Sequence, residues 1–127
     1  MRGIAKMNLT KSQLLNHLDQ FYGTQYYYPL WPNIMLTDGT RYLADTAGCY
    51  WLMDAISSHL QRLPKEETFI SSKLTVENGK ARLNIEDGNG RILATQQIPY
   101  TDFPLEEIML FACWDQKNWV IMLPGEY

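Results

Sequence analysis

The sequence predicts an α+β domain in which two main helices pack on one face of an antiparallel meander of about five strands. Three observations carry this expectation. Apolar residues recur with helical spacing as far as Pro64, and from Phe69 the period changes to two, so helices precede strands instead of alternating with them. The last two strand segments, IMLFACW and WVIML, are apolar on both sides. Helices on one side only would leave the back of that ribbon bare, so an aromatic segment is expected to cover part of the other face.

Thr10 followed by Gln13 fits a capping box, and Leu14, Leu18, Phe21 and Tyr22 then recur at helical spacing, which predicts a first helix over residues 11–22 closed by Gly23. The stretch FYGTQYYYPLW follows, with six rings in eleven positions. IMLT reads as a short strand before a turn at Asp38-Gly39. Over residues 46–62, Leu52, Ile56 and Leu60 form one stripe, widened by Ala47, Tyr50, Trp51, Met53 and Ala55, so this central helix is apolar nearly all round and is stopped by Pro64.

Turn chemistry sets the strand register. A two-residue turn at Asn78-Gly79 places Glu77 opposite Lys80, Val76 opposite Ala81, Thr75 opposite Arg82 and Leu74 opposite Leu83. A four-residue loop at Asp87 to Gly90 would place Ile85 opposite Ile92 and Leu83 opposite Ala94, with Leu93 breaking the alternation. Thr101-Asp102-Phe103-Pro104, followed by Glu106 and Glu107, predicts a single helical turn. In the last hairpin, Trp114 faces Trp119 on one side, and Cys113 with Val120 and Phe111 with Met122 line the other. A one-residue slip would turn every apolar side chain outward, so the register is tightly specified.

At 127 residues the chain has the size of one domain, spanning 1–127 with residues 1–8 expected as a disordered tail and Met7 as an alternative start. The net charge of -3 is uneven: residues 66–127 carry ten acids against five Lys/Arg. Binding to a phosphate backbone needs clustered Lys/Arg, so nucleic acid is not an expected partner. An acidic domain of this kind could instead imitate nucleic acid through Asp102, Glu106, Glu107, Asp115 and Glu126. Cys49 and Cys113 sit in apolar runs and are expected as buried thiols, which suits a cytoplasmic location. The N-terminus lacks the apolar stretch of a signal peptide, and no run approaches the ~18 apolar residues of a membrane span.

No nucleophile, base and orienting group stand in a recognisable arrangement, so no catalytic residue and no cofactor are assigned. His17 and His59 lie on separate elements without acids at ligand spacing, which predicts surface imidazoles and no metal. Cys49 and His59 stand about 15 Å apart by helical rise and cannot form a pair. Asp54, on the polar strip of a buried helix, calls for a partner such as Arg41. For the rings, the expected arrangement is a lid of Tyr26, Tyr27, Tyr28, Leu30 and Trp31 on the reverse face. A homodimer through that face and a ligand or partner surface are the alternatives. If a ligand pocket exists, it would lie between Tyr26, Tyr27, Trp31, Tyr42, Asp54 and the turn holding Tyr100, Asp102 and Phe103.

The stretches FYGT (21–24), TDGTRYLADTAGCYWLMDAI (37–56), QIPYTDFPLEEI (97–108) and MLPGEY (122–127) resemble a family of small bacterial proteins, often labelled plasmid-related, whose members have no assigned activity. That family has Ala at the position of Cys49 and often Ser at that of Gly125, which argues against thiol chemistry at Cys49. The resemblance implies a non-enzymatic accessory protein of bacteria or their mobile elements, acting through a protein partner or as a homodimer. It transfers no site residue.

Overall fold

The computed structural model describes residues 9–127, so the expected tail over 1–8 lies outside the described residues. Three helices and a seven-stranded, mostly antiparallel sheet form an α+β domain. The first helix, α1 (Lys11–Leu18), carries the expected capping box, with Gln13 N–H donating to Thr10 Oγ1 at 3.1 Å and Thr10 N–H to Gln13 Oε1 at 2.9 Å. It ends at Leu18 and not at Tyr22. Phe21 turns onto the Tyr42 ring, 5.6 Å between centroids, and Tyr22 points into solvent.

Two strands precede the five that were expected: β1 (Tyr28–Trp31) and β2 (Ile34–Leu36), a hairpin closed at Pro32-Asn33 with Asn33 in the left-handed region. The aromatic segment is therefore not a lid on the reverse face. Tyr28 pairs with Leu36 and Trp31 with Ile34, so both rings stand on the helix side and pack against the main core. Backbone hydrogen bonding decided this outcome: extended YPLW gains a ladder partner in β2, which an irregular lid would forgo.

The helix expected over 46–62 is α3 (Tyr50–Leu60), which starts four residues later, and a helix that was not expected, α2 (Asp38–Ala47), precedes it. Gly48 breaks them apart at φ 62°. An apolar pattern that runs through the junction hides the break, and Asp38-Gly39, read as a turn, is in fact the first turn of α2 behind a Thr37/Thr40 capping box. Asp45 lies inside α2, accepts from Tyr50 Oη at 2.8 Å and faces Arg41 at 3.8 Å.

The remaining strands are β3 (Phe69–Glu77), β4 (Lys80–Glu86), β5 (Ile92–Ile98), β6 (Glu107–Trp114) and β7 (Trp119–Met122), and the sheet order is β1-β2-β7-β6-β3-β4-β5. Pairing of β2 with β7 is parallel; the other pairings are antiparallel. All four pairs expected across Asn78-Gly79 are present, as are Trp114 with Trp119 and Phe111 with Met122. The β4–β5 register differs: Ile85 faces Ala94 and Leu83 faces Gln96. Asp87 Oδ1 accepts from the Asn89 and Arg91 N–H groups, which tightens the loop, and a bulge then lets Leu93 turn towards the core. Residues 101–106 form no helix. Thr101 N–H donates to Gly79 O and Glu106 O accepts from Val76 N–H, so this segment is used to seal the sheet end, with Phe103 and Leu105 buried.

One core receives Leu14 and Leu18 of α1, Leu43 and Ala47 of α2, Leu52, Met53, Ile56 and Leu60 of α3, and the inward residues of β2, β3, β4, β6 and β7. On the reverse face Val120 is buried, and Phe111, Cys113 and Met122 are half-buried. Tyr127 supplies part of the cover, its ring standing 5.4 Å from Phe69 and 5.7 Å from Phe111. Among the described residues no helix is long and apolar enough to cross a membrane.

The C-terminus is tied to α2. After Leu123 a 3-10 turn (Pro124–Glu126) brings the Glu126 carboxylate to the N-terminus of α2. Its Oε1 accepts from Thr37 Oγ1 (2.6 Å) and Leu123 N–H (3.0 Å), and its Oε2 accepts from Gly39 N–H (3.0 Å). A Cβ at Gly39 would stand 2.5 Å from Glu126 Oε1, so only glycine admits the carboxylate. Glu126→Ala is expected to cost about 2 kcal/mol, because buried helix-end donors lose an ionised acceptor. A urea midpoint lowered at unchanged slope would show it. Ser72, by contrast, is buried in the core and its hydroxyl has no hydrogen-bond partner. Ser72→Ala is therefore expected to be neutral or to raise stability by up to about 1 kcal/mol.

Candidate functional site

The polar groups singled out in the sequence are engaged in holding the chain together. Asp38 Oδ2 accepts from Gln25 N–H and Asp38 Oδ1 from Tyr28 Oη, both at 2.8 Å, while Asp38 N–H donates to Thr24 Oγ1. Arg41 lies over the Tyr28 ring, 4.3 Å from its centroid. FYGT and TDGTR thus form one network joining the aromatic segment to α2. The Gln25 N–H and the Tyr28 hydroxyl hold the Asp38 carboxyl below its ordinary range, and that carboxylate in turn pushes the Tyr28 phenol up.

Asp54 accepts from Trp31 Nε1 at 2.9 Å, which fixes the outer end of β1 to α3. Arg41, the partner expected for Asp54, stands instead beside Asp45 and Tyr28. Tyr42 Oη bonds His17 Nδ1 at 2.6 Å, and His59 Nε2 bonds Gln96 Oε1 at 2.8 Å, so both imidazoles are half-buried ties between elements. Among the described residues no three His, Cys, Asp or Glu side chains converge as a metal site. No disulfide joins the cysteines; the buried Cys49 thiol lies 3.6 Å from Leu43 O, and burial pushes the half-buried Cys113 thiol up.

The residues proposed for an aromatic pocket do not meet in one place. Trp31 and Asp54 touch each other, Tyr42 sits with His17 and Phe21, and Phe103 is buried edge-on against Trp51 at 6.5 Å. Tyr26 and Tyr27 are exposed beside β1, whereas Tyr100 and Asp102 follow β5 at the opposite edge of the sheet. With strands about 4.8 Å apart, the two edges of a seven-stranded sheet stand too far apart to line one small cavity.

A groove has formed elsewhere. Its volume is about 450 Å³, and its walls are α1 with the segment after it (Leu15, Leu18, Phe21, Tyr22), the entry to β6 (Leu105, Ile108, Met109) and the C-terminal turn (Leu123, Pro124, Gly125). Leu15, Tyr22 and Met109 are 48%, 83% and 41% exposed, so three of the large apolar side chains most open to water converge here. Close approach makes the groove: a Cβ at Gly125 would stand 2.8 Å from Phe21 O. Lys73 and Glu107, an ion pair at 3.3 Å, stand at its rim with Asp19. The arrangement can accept an apolar side chain or small molecule, with its charged groups Asp19, Lys73 and Glu107 at the rim. Sequence reading missed it because Leu15 lies beside the core stripe of α1 and Met109 is on the reverse face of β6. The signal present was Leu14-Leu15, two adjacent leucines that cannot both face one core.

The lowered Asp38 ionisation gives a signed expectation. A carboxyl whose folded value is depressed stabilises the protein above its ordinary range, and that contribution is lost as pH falls through the folded value. The stability difference between the wild type and Asp38→Asn should therefore be full at neutral pH and shrink progressively below about pH 4. Urea titrations of both proteins across that range measure it, and a difference independent of pH would contradict the network.

A search among curated proteins found no match. A solved structure, described as a protein of unknown function from Enterococcus faecalis, is similar with a TM-score of 0.52 at 18% identity, over 76% of this chain and 91% of that one; the likeness is one of fold. The model of a family of unknown function, DUF6876, matches residues 12–127. The chain belongs to that family.

Proposed function

We propose that this chain is a small non-enzymatic interaction protein, an accessory protein of bacteria or their mobile elements, which acts by docking an apolar segment of a protein partner in the groove between α1, β6 and the C-terminal turn. The convergence of Leu15, Tyr22 and Met109 supports this reading. Exposed apolar side chains scattered singly need no explanation, but a cluster lining a concave surface with a charged rim has the anatomy of a docking site. The carboxylates and imidazoles that chemistry would require are bonded into the frame: Asp38 to Gln25 and Tyr28, Asp54 to Trp31, Glu126 to α2, His17 to Tyr42.

A volume of about 450 Å³ also lies within the range of small-molecule sites, which favours an apolar ligand as the second reading. The pocket first expected among the aromatics and Asp54 has no such support, since Asp54 is engaged by Trp31 at the edge of the sheet.

A photo-crosslinking amino acid placed at Tyr22, in cells of the native host, tests the docking reading. A discrete protein adduct is expected, and Leu15→Glu with Met109→Glu should weaken its capture at least about 30-fold, the effect of losing a hot spot of roughly 2 kcal/mol. Circular dichroism of the variant should be unchanged, because both side chains are exposed. An adduct that persists in the variant would defeat the reading. Native mass spectrometry of the purified chain showing a bound small molecule, lost in the same variant, would favour the ligand instead.

A further inference from the structure

At the other end of β6 from the groove, a second cavity of about 520 Å³ opens on the helix side of the sheet. Three parts of the chain meet around it. The connection leaving α3 runs through Leu63 and Pro64 to Glu67, whose N–H donates to Pro64 O at 3.0 Å. Trp114 and Trp119 pair across the last hairpin, 5.8 Å between ring centroids and tilted by 55°. Asn33, at the turn between β1 and β2, accepts the Trp119 backbone N–H at 2.8 Å through its carbonyl.

The polar groups here are left open, unlike those of the frame. Trp119 is 7% exposed, and among the described residues its Nε1–H has no acceptor. Ser72 Oγ is the one buried side-chain N or O atom there that reaches neither a partner nor solvent. The Trp119 indole N–H therefore keeps contact with water, and since the ring is otherwise enclosed, that contact is made where the ring lines the cavity. The side chains of Asn33, Gln61, Lys65 and Glu67 line it too, and among the described residues none of them is hydrogen-bonded or ion-paired. Their chemistry selects the ligand. Lys65 and Glu67 cancel in charge, which disfavours a simple ion. Indole and ammonium N–H groups donate, the carboxylate accepts and the two amides do both, so the ligand presents donors and acceptors together. Leu63, Pro64 and the half-buried Trp114 ring supply an apolar wall. The two indoles stand against each other, so no slot lies between them for a planar base, and one partly open ring suits a single apolar face. A pyranose has such a face: its C–H groups carry partial positive charge and pack on the negative face of an aromatic ring, while its hydroxyls donate and accept around the rim.

We propose that this cavity binds a neutral carbohydrate of one or two pyranose rings, packed on Trp114 and held by the Trp119 indole N–H, the Glu67 carboxylate and the amides of Asn33 and Gln61. Its volume lies within the range of small-molecule sites. The cavity is separate from the apolar groove, and neither reading depends on the other.

Heteronuclear NMR spectra of the isotope-labelled protein, titrated with maltose, cellobiose and diacetylchitobiose, test it. At least one of these sugars is expected to shift the indole N–H signals of Trp114 and Trp119 with a common dissociation constant of about 5 mM or below. The Trp31 indole, which donates to Asp54 at 2.9 Å, should not move. Glu67→Gln combined with Gln61→Ala should raise that constant at least about tenfold, because hydrogen bonds to the sugar are weakened or lost. Both residues lie outside the core, so the other signals of the variant should stay in place. Unmoved Trp114 and Trp119 signals with all three sugars up to about 50 mM would overturn the proposal. So would shifts that persist unchanged in the double variant, or adenosine moving the same two signals at a lower concentration than any of the sugars.

Discussion

A carboxylate delivered from the last turn of the chain to the N-terminus of α2 closes this fold. Helix N-termini present unsatisfied N–H groups and partial positive charge, and an anion placed there is favoured on both counts. Here the anion is internal. Glu126 accepts from Thr37, Gly39 and Leu123 at once, so one side chain links the capping box of α2 to the strand end that precedes the 3-10 turn. Three consequences follow. The C-terminal turn is held against Phe21, which forms one wall of the groove. Tyr127 is carried onto Phe69 and Phe111, where it covers part of the reverse face. Finally, the N-terminus of α2, where a phosphate or substrate carboxylate would otherwise be favoured, is occupied by the protein itself.

Asp38, one residue into the same helix, performs the matching task for the aromatic segment. It gathers Gln25, Tyr28 and, through its own N–H, Thr24. Two of the rings, Tyr28 and Trp31, therefore enter the fold in an edge hairpin with their polar tips bonded and their bodies against the core. Tyr and Trp suit this use because each combines a large apolar surface with one donor. The segment that seemed most suggestive of ligand binding is thus largely architecture.

Much of the sheet was legible because its information is local. Asn78-Gly79 dictates a turn, and alternation on either side of it dictates which residues meet, so the β3–β4 pairs could be written down residue by residue. The β4–β5 register was not legible, since it depends on how Asp87 bonds its own loop and on a bulge that repositions Leu93. The central helix was visible, but α2 was not, because its first turn at Asp38-Gly39 reads as a turn and apolar spacing runs on through Gly48. The edge hairpin and the Glu126 clamp were also hidden. Both join residues far apart in sequence, Tyr28 with Leu36 beside a parallel β2–β7 contact, and Gly39 with Glu126, and no periodicity encodes such contacts. The groove was missed for the same reason: its walls come from three separate parts of the chain.

These arrangements decide where function can reside. The helix face of the sheet is filled by a single core, the N-terminus of α2 is neutralised from within, and β1 is protected by its proline and bulge. What stays open lies at the periphery, in a groove whose apolar walls are incompletely covered. Exposing Leu15, Tyr22 and Met109 to water forgoes burial at about 25 cal/mol per Å², a sizeable loss for a domain whose net stability is on the order of 10 kcal/mol. Their exposure beside Gly125, whose missing side chain keeps the turn close to Phe21, is the ground on which the docking proposal rests.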